Sequence, residues 1–118
     1  MPETDSLESL RLRLVDFAAE RDWDQFHNPK NLAMALAGEV GELLEHFQWL
    51  TPEQAQSLPV AARDEVALEA ADVLLYLLQL CDKLDIDIGA AADRKIALNA
   101  LKYPAEKSHG KMTKYGRL

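Results

Sequence analysis

Residues 66–81 read VALEAADVLLYLLQLC, and this stretch constrains the fold more than any other. Only Glu69, Asp72 and Gln79 are clearly polar within it. At ~100° per residue, Glu65, Glu69, Asp72, Tyr76, Gln79 and Lys83 fall in one stripe roughly 80° wide, and nearly everything else on the helix is apolar. A helix that is apolar around most of its circumference is buried on most sides. A chain of 118 residues has too few other helices to cover it, so a subunit interface is expected. The polar stripe then faces something other than bulk solvent.

The rest of the chain is also written in helical period. Leu7, Leu10, Leu14 and Phe17 predict a helix over about 6–21, with Asp5 and Glu8 spaced as a capping box. RDWDQFHNPK reads as a loop in which Asn28-Pro29 breaks the pattern, and Asn31 is expected to cap the next helix, over about 31–49. PEQAQSLPVA reads as a polar connector. A third helix is predicted over about 62–83. A fourth starts at Asp85 or Asp87 and ends near Lys102, before Pro104. No segment alternates with period two. The expected fold class is all-α, four main helices packed as a bundle, with residues 1–104 as one domain and 105–118 as a basic tail.

Composition excludes several classes. The net charge of −7 argues against general nucleic-acid binding, because phosphates would be repelled. No apolar run approaches the ~20 residues of a membrane helix, and MPETDSLES has no apolar signal core. A single cysteine makes no internal disulfide, so a cytoplasmic, reduced setting without membrane partners is expected. The charge is uneven: residues 1–101 carry a balance of −11 and residues 102–118 a balance of +4. The tail reads either as a frayed terminus or as a segment that closes over an anionic ligand.

Two helices repeat one acidic motif. AGEVGELLEHF (37–47) aligns without a gap on ALEAADVLLYL (67–77), matching Glu39 to Glu69, Glu42 to Asp72 and His46 to Tyr76. Carboxylates at i and i+3 share a helix face. If the two acidic flanks face each other, four anions converge, which only a cation or protonation makes tolerable. An all-oxygen set suits a hard ion, Mg²⁺ above all with Mn²⁺ as a substitute. A di-iron carboxylate bundle would need Glu-x-x-His on two helices. The position three before His46 is Leu43, which disfavours it.

With those residues in view, Glu39-Val40-Gly41-Glu42 followed by Glu69-Ala70-Ala71-Asp72 resembles the E-x-x-E…E-x-x-D signature of the MazG-like all-α nucleoside triphosphate pyrophosphohydrolases. FAAERDWDQFH (17–27), GEVGELLEHFQW (38–49), DVLLYL (72–77) and Lys102-Tyr103-Pro104 are similar to its dCTP pyrophosphatase branch. The resemblance implies a Mg²⁺-dependent enzyme that cleaves between the α and β phosphates and cleanses the nucleotide pool. It also implies a helical homo-oligomer, in this branch a tetramer built as a dimer of dimers. The implied metal ligands are Glu39, Glu42, Glu69 and Asp72. The implied substrate contacts are Trp23 and Trp49 around the base, Tyr76 near the sugar, and Lys95, Asn99 and Tyr103 at phosphate and nucleoside. Read without the resemblance, each Trp also suits a core or interface anchor. Lys95, Asn99 and Lys102 share a helix face, a cationic strip able to hold phosphates.

The pattern departs from the family in two places. Gly38 and Leu68 stand where many members carry a further acid, and Leu14 stands where some dCTP-type members carry a histidine. The expected reaction is in-line attack on the α-phosphorus by a water that the cation activates. Glu39 orients that water, while Lys95, Lys102 and tail residues such as Lys111 and Lys114 hold the pyrophosphate. Two alternatives stay open at this point. One is a MazG-like hydrolase of dUTP, dATP or a damaged dNTP; the other is a non-enzymatic helical interaction protein.

Overall fold

A computed structural model describes residues 6–112. Among these residues every regular element is helical and no strand occurs, as the absence of period-two patterning predicts. The elements are α1 (Leu7–Glu20), a 3₁₀ turn (Asp24–Phe26), α2 (Pro29–Glu45), α3 (Pro52–Gln56), α4 (Val60–Lys83), α5 (Ile88–Lys102) and α6 (Ala105–Ser108). They divide into two compact units, one ending at Asp85 and one beginning at Ile86. No helix among the described residues is long and apolar enough to cross a membrane.

In the first unit, α2 packs along α4, and α1 also packs against α4. The buried apolar side chains are Ala18, Leu32, Leu78 and Cys81, contributed by these three helices. Leu32 is 1% exposed. Leu32→Ala should therefore destabilise the fold by about 2–5 kcal/mol, read as a shift of the urea midpoint. An ion pair ties the helices further: Arg11 Nη1 of α1 lies 2.6 Å from Asp82 Oδ1 of α4.

The helix ends show where local chemistry differs from the expected boundaries. Asp5 of the expected capping box lies outside the described residues. Ser6 caps α1 by accepting from the Ser9 N–H at 3.2 Å, and Glu8 pairs with Arg11 instead. Asn28, not Asn31, caps α2, accepting from the Asn31 N–H at 2.9 Å. Pro29, expected to interrupt, sits in the first turn, where its missing N–H costs nothing. α2 ends at Glu45, short of the expected 49. The polar connector contains α3, held by a capping box of Thr51 and Gln54. Asp85 takes a left-handed conformation (φ 53°) after the end of α4, and Asp87 caps α5 through the Ala90 N–H.

The apolar circumference of α4 is only partly covered within one chain. Leu78 and Cys81 are buried, but Leu68 is 72% exposed. On α2, Val40 and Leu44 of the apolar surface are exposed as well. This is the outcome expected for a helix written to be buried on most sides in a chain of this size.

Candidate functional site

The acid cluster forms where α2 lies along α4. One carboxylate oxygen each from Glu39, Glu69 and Asp72 lie within 4.8 Å of one another. The cause is local: the Glu-x-x-Asp spacing sets Glu69 and Asp72 on one face of α4, and the packing of α2 brings Glu39 across to them. Glu42, the fourth expected ligand, is outside that 4.8 Å grouping and exposed. Its charge still acts on Glu39 and Glu69.

The electrostatics of the cluster are those of anions lacking a counter-charge. Glu39 Oε2 is buried and has no hydrogen-bond partner among the described residues. The Glu39 carboxyl is pushed up to about 7: Glu69 is the largest cause, through the hydrogen bond that the protonated form makes, followed by Glu42 and by desolvation. Glu69 is also raised; the bond to Glu39 opposes the shift, while desolvation, Glu42 and Asp72 outweigh it. These residues fit a divalent cation. The donors are all hard oxygens, and one buried lone pair is unused. Ligands of an octahedral Mg²⁺ lie about 3–4 Å apart around the ion, so a spread of up to 4.8 Å closes with small side-chain rotations.

A pH dependence follows for the metal-free protein. An unfolded chain ionises Glu39 at the ordinary 4.5, whereas the folded chain holds the proton to about 7. Between these values the folded state binds more protons, so stability falls as pH rises through the window. Glu8 and Asp24 do not contribute there, because Arg11 and Lys83 hold them below the ordinary carboxylate range. With EDTA present, the melting temperature should drop between pH 5.5 and pH 8, and Mg²⁺ should restore more of it at pH 8. Scanning fluorimetry at both pH values checks this.

Beside the cluster lies a cleft of about 420 Å³. α1 lines it with Leu10, Arg13, Leu14 and Phe17, the following loop with Trp23 and His27, and α4 with Asp72, Leu75, Tyr76 and Gln79. Asp72 therefore belongs to both the acid cluster and the cleft wall. The loop that carries Trp23 is tightly built. Asp22 is left-handed (φ 53°) and its carbonyl and carboxylate both accept from Gln25 Nε2. The Trp23 N–H donates back to the Ala18 carbonyl at 2.9 Å. The Trp23 ring meets Phe17 edge-on at 5.7 Å and His27 at 6.4 Å, and Arg21 stacks 3.6 Å over Phe17. Asp24 pairs with Lys83 Nζ and so pins the turn to the end of α4.

Of the residues singled out in the sequence, the structure brings Glu39, Glu69 and Asp72 together, and sets Trp23 and Tyr76 in one cleft with Asp72. Trp49 follows α2, is 86% exposed and does not line that cleft. Lys95, Asn99 and Lys102 are exposed on α5 of the second unit, and the Tyr103 N–H donates to the Asn99 carbonyl at 2.8 Å. Arg13 and His27 were not anticipated. Nothing in the spacing of Arg13 marks it, because α1 alone does not reveal which neighbour it faces. Gln79 carried a signal, as a member of the narrow polar stripe of α4.

An all-α fold with paired acids on two packed helices beside an aromatic cleft defines a class, and comparison with known proteins supplies the family. The sequence profile of the MazG-like family matches residues 35–118, and the chain belongs to that family. It is 43% identical to dCTP pyrophosphatase 1 of Homo sapiens over 115 residues, 96% of this chain and 68% of that protein. The Mus musculus dCTP pyrophosphatase 1 is likewise 43% identical, over 93% of this chain and 66% of its own length. This chain thus spans about two thirds of those relatives. A crystal structure of a pyrophosphatase from Archaeoglobus fulgidus superposes with a TM-score of 0.79 at 40% identity, covering 88% of this chain and 97% of that one.

Proposed function

We propose that this chain is a nucleoside triphosphate pyrophosphohydrolase that hydrolyses dCTP, or a modified dCTP, to the monophosphate and pyrophosphate. The observation that carries the reading is the double membership of Asp72, in an acid cluster fit for a divalent cation and in a cleft walled by Trp23 and Tyr76. A nucleotide laid along α4 meets the cluster with its phosphates and the cleft with its sugar and base. The likeness to proteins named dCTP pyrophosphatase supports the choice of substrate.

Glu39, Glu69 and Asp72 would hold Mg²⁺, with Glu42 completing the set and Mn²⁺ as a substitute. Bound there, the cation neutralises phosphate charge and raises the acidity of water. Glu39 would orient the attacking water and receive its proton. Water adds its oxygen to the α-phosphorus, the α–β bridge breaks toward the β-phosphate, and pyrophosphate leaves. Trp23 stacks on the base and Tyr76 contacts the sugar. Lys95, Asn99, Lys102 and Tyr103 contact phosphate and nucleoside, a role supported by the shared helix face of the first three. The working unit is residues 1–104, a helical bundle with 105–118 as a basic appendage, and it acts in the cytoplasm on the nucleotide pool. Trp49 is proposed to enclose the base together with Trp23, and the exposed apolar residues of α2 and α4 support a homo-oligomer, a tetramer as a dimer of dimers.

The test is a panel of common and modified NTPs and dNTPs with Mg²⁺, scored for pyrophosphate against orthophosphate. Monophosphate plus pyrophosphate from dCTP is expected. Orthophosphate release overturns α–β cleavage.

A further inference from the structure

Resting on that proposed function, we infer that Gln79 is the residue that selects a base bearing an exocyclic amino group. Asp72, Tyr76 and Gln79 follow one another on α4 at i, i+4 and i+7, on one face, and all three line the cleft. Gln79 lies ~10 Å along the helix axis from Asp72, a distance on the scale of a nucleoside monophosphate. With phosphates at the acid cluster and the sugar near Tyr76, the edge of the base arrives at Gln79.

The state of the Gln79 amide determines what that edge must offer. Its Nε2 donates to the Leu75 carbonyl at 3.2 Å, which fixes which end of the amide is the nitrogen. Among the described residues Oε1 accepts no hydrogen bond, and it is not among the sealed, unsatisfied polar atoms. The free end is therefore an acceptor. Turning the amide over would set Oε1 against the Leu75 carbonyl, acceptor against acceptor. An amino group on the base, as on cytosine, satisfies Oε1; a carbonyl in the same place, as on uracil or thymine, repels it. Leu14, on the same cleft wall where some relatives carry a histidine, offers no polar group that could take over this task.

The experiment compares pyrophosphate release from dCTP, dTTP and the triphosphate of the deoxynucleoside of 2-pyrimidinone, which lacks the 4-amino group, by wild type and by Gln79→Leu. In the wild type, kcat/KM should fall at least about fivefold when the amino group is removed and further for dTTP. In Gln79→Leu the dCTP:dTTP ratio should collapse by a similar factor, a change that loss of folded protein cannot produce. Equal wild-type efficiency on dCTP and on the 2-pyrimidinone analogue overturns the assignment even if the variant does not fold. An unchanged ratio in a folded variant overturns it too. Absence of pyrophosphate from all three substrates overturns the proposed function itself.

Discussion

Asp72→Asn should remove most turnover, at least about a hundredfold, while leaving a folded protein with an unchanged helical spectrum. Loss of hydrogen-bonded partners behind a metal ligand already costs 10–100-fold, and Asp72 is assigned to the ion directly. The substitution is nearly isosteric and removes one of three carboxylates within 4.8 Å, so the metal-free fold should not suffer. It removes a charge that repels Glu69, while Glu69 and Glu42, the groups that raise the Glu39 carboxyl, remain. The measurement is steady-state pyrophosphate release with a Mg²⁺ titration, alongside circular dichroism. Full activity at ordinary Mg²⁺ would remove Asp72 from the metal site.

Trp23→Ala should raise KM for the nucleotide roughly 5- to 150-fold, the equivalent of ~1–3 kcal/mol of base–aromatic stacking. The effect should fall mainly on KM, because the ring is distant in role from the acid cluster and contacts the base in ground and transition states alike. Trp23 is 44% exposed and its ring lines the cleft, where a base can reach it. Trp23→Phe should recover part of the loss. If alanine leaves KM unchanged for every nucleotide, Trp23 is a packing residue and the cleft does not hold a base.

Much of the candidate site is legible in the sequence. The Glu39–Glu42 and Glu69–Asp72 repeats, and the narrow stripe that includes Tyr76 and Gln79, follow from helical spacing, because residues three and four apart must share a face. The caps were less legible. Asn28 and Asn31 are chemically identical candidates three residues apart, and the choice rests on which of them keeps extended backbone before Pro29. The short helix α3 was missed because five residues give no periodic signal. It depends on one capping box, Thr51 with Gln54.

Arg13, Leu14 and His27 show the other kind of limit. They join Asp72 in one cleft only because α1 crosses onto α4 and the Asp24–Lys83 pair draws the intervening loop to the same helix. Their separation from Asp72 along the chain is too long for any local rule to connect them. What the sequence determined by itself was the helical character of the chain, the faces carrying acids, and a helix α4 apolar around most of its circumference. Those are properties of spacing and composition, set by the geometry of a single helix. What only the tertiary structure decided was which acids meet, the withdrawal of Glu42 from the closest grouping, the upward shift of the Glu39 carboxyl in the metal-free cluster, and the direction of the Gln79 amide. Each depends on distances between atoms of different turns or helices, and electrostatic and hydrogen-bond energies change steeply over the few ångströms that packing alone specifies.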